Sequence, residues 1–306
     1  MIDRSKIIAI CGPTASGKTS LSIALAKEID GEIISCDSMQ IYRKMDIVTA
    51  KPTVKEMAGV KHHLIDIRDP DESFNVSDYK EEAERAIEDI QSRGKRAIFC
   101  GGTGLYLDAV LTANVFSSGA SDEEYRASLE KIDNAELHRL LRECDPMSAE
   151  AIHQNNKKRV IRALEIFHAT GITKTEWDKR SREEGSVESK VFMLDWPREM
   201  LYARIDRRVD IMLEEGLVEE ARSLRSTYGK TAAQAIGYKE LDPYFDGLIS
   251  LDEAAENIKR ATRNYAKRQL TWFSHRAYVQ TLALSDESEL SDPEKRKNIV
   301  NFMLKS

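Results

Sequence analysis

Residues 12–19 of the chain read Gly12-Pro13-Thr14-Ala15-Ser16-Gly17-Lys18-Thr19 and satisfy the spacing GxxxxGK[ST]. The flanks decide what such a run means. An apolar β-like run, KIIAIC at 6–11, precedes it, and Leu21, Ala24, Leu25 and Ile29 follow on one face of a helix. A strand that feeds a helix through this loop is a P-loop. Backbone N–H groups of the loop and the helix N-terminus surround a diphosphate, the lysine adds a point charge, and the last threonine can ligate Mg²⁺. The loop fixes a di- or triphosphate without saying whose.

The next eighty residues repeat the alternation. GEIISC (31–36) reads as a second strand, and 78–93 as a helix with Tyr79, Ala83, Ala86, Ile87 and Ile90 on one side. That helix ends at Gly94 and feeds RAIFC (96–100), so the core is an α/β parallel sheet with helices on its faces. From about 116 to 190 the strand signal disappears and helical patterns at 134–143, 156–169 and 174–184 replace it. This reads as an all-helical insertion over 117–190, hinged at Ser117, Ser118, Gly119 and Ser121, between core segments 1–116 and 191–306. KVFMLDWP (190–197) returns to the sheet, a helix follows over 198–225, and a last long helix starts at Ser250, with Glu253 completing a capping box, and runs to about Phe273. A chain of 306 residues matches two domains of ~150.

No apolar run approaches the ~18 residues that span a bilayer, and the N-terminal run ends in Gly-Pro without a cleavage region, so a cytoplasmic, non-membrane protein is expected. A monomer is expected as well. Cys11, Cys36, Cys100 and Cys144 are widely spaced with no CxxC and read as free thiols. The net charge of −6 argues against a wholly basic nucleic-acid binder. One stretch departs from it: between Asn257 and Gln280, Lys259, Arg260, Arg263, Lys267, Arg268 and Arg276 occur with no acidic residue. Tyr265, Trp272, Phe273 and Tyr278 are interleaved with them, and cations for phosphates with aromatics for stacking suit RNA contact, although a core can claim the aromatics.

Ligands of open α/β sheets bind beyond the carboxyl ends of the strands. Asp37, after the second strand, therefore faces the P-loop crevice, where a carboxylate can ligate Mg²⁺, act as a general base or cap a turn. The third strand ends in Gly101-Gly102-Thr103-Gly104, whose glycines let backbone approach a ligand and whose Thr103 offers a hydroxyl. His62 and His63 are adjacent in an extended segment and point to opposite faces, so they do not chelate together. Arg159 and Arg162 share a helix face that is either solvated or RNA-binding.

GPTASGKT, CDSMQIY, MDIVTAKP, HHLID, GGTGLY, KRVIRALEI, GYKE and AKRQLTWF, in that order, resemble the tRNA dimethylallyltransferase (tRNA isopentenyltransferase) family over most of the chain. The resemblance implies a P-loop NTPase/kinase-like core with a helical insertion. It implies transfer of a dimethylallyl group from dimethylallyl diphosphate to the exocyclic amine (N6) of the adenosine just 3′ of the anticodon, in tRNAs reading codons that begin with U, with release of diphosphate. The partner is then a tRNA anticodon stem-loop, and the P-loop, Gly12 to Thr19, grips the leaving diphosphate of an isoprenoid instead of an ATP. Lys18 supplies charge there, Thr19 contacts Mg²⁺, Asp37 accepts the proton from the amine, and Thr103 orients the leaving group or the adenine. By position, tRNA contacts fall on Asp37, Ser38, Met39, Gln40, Thr103, Arg126, Arg159, Val160, Ile161, Arg162, Ala163, Lys267, Arg268, Gln269, Leu270, Thr271, Trp272, Phe273 and Ser274. Gln234 stands where the family pattern has an arginine, so no diphosphate contact is assigned to it. Arg204 and Arg208, one helical turn apart, either supply that charge or form a solvated face. The rival readings are an ATP-dependent small-molecule kinase and a non-catalytic RNA-binding P-loop protein. The first would need ATP-base recognition and lid arginines, whereas here the insertion and the last helix carry an RNA-type surface, and the second leaves Asp37 and Thr103 without a role.

Overall fold

A computed structural model of the chain describes residues 2–112, 122–183 and 187–306. The hinge expected at Ser117, Ser118, Gly119 and Ser121 lies outside them. Two compact units are present, one formed by Met1–Leu111 with Val187–Ser306 and the other by Thr112–Ser186.

The first unit is built on six strands, β1 Ile8–Cys11, β2 Gly31–Cys36, β3 His62–His63, β4 Arg96–Gly101, β5 Lys190–Asp195 and β6 Val279–Ala283, in the order β3-β2-β4-β1-β5-β6. Every pairing is parallel. A parallel sheet is covered on both faces, so its central strands bury both sides of the pleat. Ile8 and Ile10 enter one core cluster with Leu21 and Leu25 of the helix Lys18–Glu28, while Ile7, Ala9 and Cys11 enter the other with Tyr79, Ile87 and Ile90 of the helix Val76–Ser92. Asn75 and Asp78 form the capping box that starts the latter helix.

Two stretches differ from the sequence expectation. The helix expected over 198–225 is two, Arg198–Glu214 and Leu217–Leu224, broken where Gly216 takes φ 103°, a left-handed conformation that suits glycine. The break lets Glu220 reach the backbone of the loop after β2: its carboxylate accepts from the amides of Asp46, Ile47 and Val48 at 2.8, 2.8 and 3.0 Å and from the Tyr238 hydroxyl at 2.9 Å. The chain also continues past the long helix into β6 and a helix Pro293–Lys305, neither of which the periodicity announced. The long helix itself, Leu251–Ser274, begins at the Ser250–Glu253 capping box as expected.

The second unit contains only helices among its described residues, and Leu137, Leu141, Val160, Ile161 and Leu164 form its core. No helix among the described residues is long and apolar enough to cross a membrane.

Candidate active site

The loop between β1 and the helix Lys18–Glu28 has its carbonyls bonded by side chains. Lys18 Nζ donates to the Pro13 carbonyl at 2.5 Å, Arg204 Nε to that of Ala15 at 2.8 Å, and the Trp196 indole to that of Ser16 at 2.9 Å. Left-handed backbone at Gly12, Ala15 and Gly17 produces this path. A Cβ at Gly12 would lie 2.9 Å from the Leu194 carbonyl oxygen, so β5 also excludes a side chain there. The amides of Ala15 through Thr19 donate to no acceptor among the described residues, and the Ser16 hydroxyl is buried without a partner. Unpaired donors at a helix N-terminus form an anion site.

That site opens into a cavity of about 350 Å³ lined by Lys18 and Thr19, by Asp37 to Gln40, by Arg208, Gln234 and Lys239, and by Tyr265, Arg268 and Gln269. Apolar side chains, including Val48, Val209, Met212, Leu217, Ile236 and Ile258, complete its wall. Burial lowers the Lys18 pKa to about 8, an effect that Arg208 reinforces and Asp37 opposes. Burial also pushes the Arg208 guanidinium down; its Nη1 lies 3.4 Å from the Thr14 hydroxyl. Two desolvated cations beside unpaired amides are arranged for a multiply charged anion. Arg204 and Arg208 have separate tasks: Arg204 bonds the Ala15 carbonyl, pairs with Glu287 at 3.1 Å and lines a second hollow beside Ala15 to Ser20, whereas Arg208 lines both that hollow and the cavity.

Asp37 is a turn cap and a cavity residue together. Its Oδ1 accepts from the Met39 amide at 2.9 Å, while Oδ2 has no hydrogen-bond donor among the described residues. Thr103 braces this turn: its hydroxyl accepts from the Ser38 amide at 3.0 Å, and its own amide donates to the Cys36 carbonyl at 3.0 Å. Gln40 is held as well, accepting from Ser35 Oγ at 2.9 Å and donating to the Thr49 carbonyl at 3.3 Å. The glycines after β4 serve close packing within the chain. A Cβ would lie 2.0 Å from the Cys36 carbonyl oxygen at Gly101, 1.9 Å from Gln269 Nε2 at Gly102 and 2.2 Å from the Trp272 ring at Gly104. They permit the approach of the β2 end and the long helix, and Gly101 and Gly102 also line the cavity, as the sequence reading expects.

The acid-free basic stretch is partly neutralised by other elements. Lys259 pairs with Asp210 at 2.7 Å, Arg263 with Asp206 at 2.5 Å, and Arg276 with Asp108 at 2.7 Å. Tyr278 also bonds Asp108, and Phe273 is buried. Lys267 and Arg268 remain exposed with no carboxylate partner among the described residues, and the Arg268 guanidinium lies 5.5 Å from the Tyr265 ring centroid. Thr271, Trp272 and Ser274 are exposed, Leu270 is half-buried, and Gln269 is buried. In the second unit Arg159 and Arg162 face solvent, whereas Val160, Ile161 and Ala163 belong to its core; Arg126 is held by Glu165 at 2.9 Å.

His62 and His63 diverge as expected. His62 lines the cavity, with Nδ1 2.9 Å from the Val60 carbonyl and its pKa lowered by burial, while His63 meets Glu32 at 2.8 Å. Glu32, His63 and Asp89 bring three possible ligand atoms within 4.8 Å, but Arg93 Nη2 lies 2.7 Å from Glu32 and 2.8 Å from Asp89. A guanidinium already compensates that charge, so the trio does not fit a divalent cation. The four cysteines are free thiols.

The family model described as IPP transferase matches residues 40–276. The chain is 50% identical over 296 residues to the tRNA dimethylallyltransferase of Geobacillus thermodenitrificans, covering 95% of this chain and 92% of that one. It is 48% identical over 285 residues to the protein of the same name from Anoxybacillus flavithermus, covering 92% of each. Among solved structures, the full-length tRNA isopentenylpyrophosphate transferase from Bacillus halodurans has a TM-score of 0.73 at 45% identity, over 98% of this chain and 95% of its own. A eukaryotic dimethylallyltransferase acting on tRNA has a TM-score of 0.85 at 31% identity, over 98% of this chain and 79% of its own. With the P-loop NTPase-like core, the anion site and these matches together, the chain belongs to the IPP transferase family and is an enzyme of the prenyltransferase class.

Proposed function

We propose that the protein is a tRNA dimethylallyltransferase that moves the dimethylallyl group of dimethylallyl diphosphate onto N6 of the adenosine 3′ to the anticodon in tRNAs reading U-starting codons. The observation that carries this reading is the meeting of two chemistries: Lys18, Thr19 and Arg208, which adjoin the unpaired P-loop amides, stand ready for a diphosphate on the same cavity as the Asp37 carboxylate, which stands ready for a proton. As the N6–C bond forms, the allylic C–O bond breaks and its electron pair leaves with diphosphate. The amine, a poor nucleophile while its lone pair is delocalised, becomes acidic as that bond develops, and Asp37 Oδ2 takes the proton. Loop amides, Lys18 and Arg208 stabilise the charge that grows on the leaving oxygen. The apolar wall suits the isoprenoid, and the reacting base must leave the anticodon-loop stack to enter.

The Thr19 hydroxyl is a hard oxygen donor on this cavity and fits Mg²⁺, which when bound would neutralise part of the diphosphate charge. Lys267 and Arg268 beside the cavity, with Arg159 and Arg162 in the helical unit, supply phosphate contacts for the tRNA. Incubation with labelled dimethylallyl diphosphate, labelled ATP and unmodified tRNA tests the proposal. The label of dimethylallyl diphosphate should enter tRNA and that of ATP should not; phosphoryl transfer from ATP with no prenyl transfer would refute it.

A further inference from the structure

Between the long helix Leu251–Ser274 and the P-loop stands one buried amide. Gln269 is 5% exposed; its Oε1 accepts from the Thr14 amide at 2.9 Å, and its Nε2 donates to the Gly102 carbonyl at 3.0 Å. A neutral amide can serve a donor and an acceptor at once, which a carboxylate or an ammonium cannot. The fit is close, since a Cβ at Gly102 would lie 1.9 Å from that Nε2. Its neighbours Lys267 and Thr271 are exposed, whereas Gln269 is directed inward. Thr14, fixed by Gln269 through its amide, meets Arg208 through its hydroxyl.

We infer that Gln269 is a positioning residue for the diphosphate end of the cavity and not a contact for tRNA, although it stands within a stretch of tRNA-contacting positions. It holds the P-loop and the loop after β4 in register, and with them the anion-binding amides and Arg208. The inference rests on the reading above that the P-loop holds dimethylallyl diphosphate.

The test uses the full chain with dimethylallyl diphosphate and unmodified tRNA. Gln269→Leu, similar in volume, leaves the Thr14 amide and the Gly102 carbonyl unpaired. It should raise the KM for dimethylallyl diphosphate and lower the single-turnover rate by about tenfold each, with the tRNA Kd within about twofold of wild type. Should that variant fail to fold, Gln269→Glu carries the test. Its carboxylate cannot donate to Gly102, whereas its protonated form has the shape and bonding of the amide, and burial favours that form. Its deficit in kcat/KM for dimethylallyl diphosphate, relative to wild type, should therefore shrink as the pH is lowered from about 8 to about 6. A role in helix packing alone gives a deficit independent of pH, and that result would overturn the inference. So would a raised tRNA Kd with an unchanged KM for dimethylallyl diphosphate. A wild-type protein that transfers nothing from dimethylallyl diphosphate overturns the substrate and this inference with it; normal transfer beside unaffected variants overturns the role of Gln269 alone.

Discussion

The guanidinium of Arg204 lies 4.8 Å from the ring centroid of Trp196, and each of the two side chains bonds one P-loop carbonyl, of Ala15 and of Ser16 respectively. The stacked pair satisfies two of the loop's acceptors and so holds its path. Trp196→Phe keeps the ring under the cation and removes the indole donor. The buried Ser16 carbonyl then lacks a partner, at a cost of about 1–2 kcal/mol. The KM for dimethylallyl diphosphate should rise severalfold in steady-state assays while tRNA affinity is unchanged. An unaltered KM would show that the loop keeps its path without this bond.

Lys18 makes diphosphate binding depend on pH. With its pKa lowered to about 8, the ammonium is charged below that value and loses its proton as the pH rises through it. Affinity for dimethylallyl diphosphate, measured by calorimetry, should be level below pH ~8 and fall above it. Lys18→Ala should sharply weaken transfer, and Lys18→Arg, always charged, should bind more weakly than wild type but without the alkaline fall. The same fall in Lys18→Arg would assign it to another group.

For Asp37, the asparagine variant separates turn cap from base. Asparagine Oδ1 still accepts the Met39 amide, so the turn stays, but the group no longer takes a proton. The single-turnover rate at saturating substrates should fall ~10²- to 10⁴-fold, with binding of dimethylallyl diphosphate nearly retained. A rate equal to wild type would leave Asp37 as a turn cap only.

Charge reversal at Lys267 and Arg268 should weaken tRNA binding and flatten its dependence on salt, since each lost phosphate contact removes counterion release. Arg276→Gln should instead lower the melting temperature more than tRNA affinity, because Arg276 is paired with the buried Asp108. Filter-binding titrations across salt, beside thermal melts, distinguish the two; unchanged binding in the reversal variant would make those cations a solvated face.

Glu32 governs acid stability at the opposite end of β2. Hydrogen bonds from Arg93 and, less strongly, from His63 hold its pKa at about 2, below the ordinary 4.5, against the opposing effect of burial. A depressed carboxyl contributes stability above the unfolded pKa and loses it as the pH falls from about 4.5 toward about 2. Glu32→Gln should cost on the order of 2 kcal/mol at neutral pH and progressively less through that window. Urea midpoints measured against pH check this; a cost independent of pH would point to packing instead of charge.

The P-loop, the buried strands and the capped helix at Ser250 were legible because each is written in neighbouring residues. So was the divergence of His62 and His63, which follows from strand geometry. What stayed hidden depends on partners distant in the chain. Six cations without an acid among them look like one uniform patch until Asp206, Asp210 and Asp108 arrive from other elements. Gly101, Gly102 and Gly104 read as room for a ligand, and only the structure shows that Gln269 and Trp272, more than 160 positions away, pack against Gly102 and Gly104 while Gly101 and Gly102 still line the cavity. The helix expected over 198–225 runs through Gly216, and only the docking of Glu220 on the backbone of 46–48 gives the break there its purpose.

β6, which the sequence did not announce, guards the rim of the sheet. β5, which it pairs over five residues, carries four consecutive buried residues, Val191 to Leu194, while β6 presents Gln280 and Thr281 outward. A chain cut at 276 would keep the whole P-loop and the long helix and yet uncover β5 as an apolar edge with unpaired backbone groups. Such an edge is a template for the same strand in another molecule. Shortening this protein at its C-terminus is therefore expected to cost it solubility, and the same cut takes Glu287 from Arg204 and Leu290 from Gly17 of the P-loop.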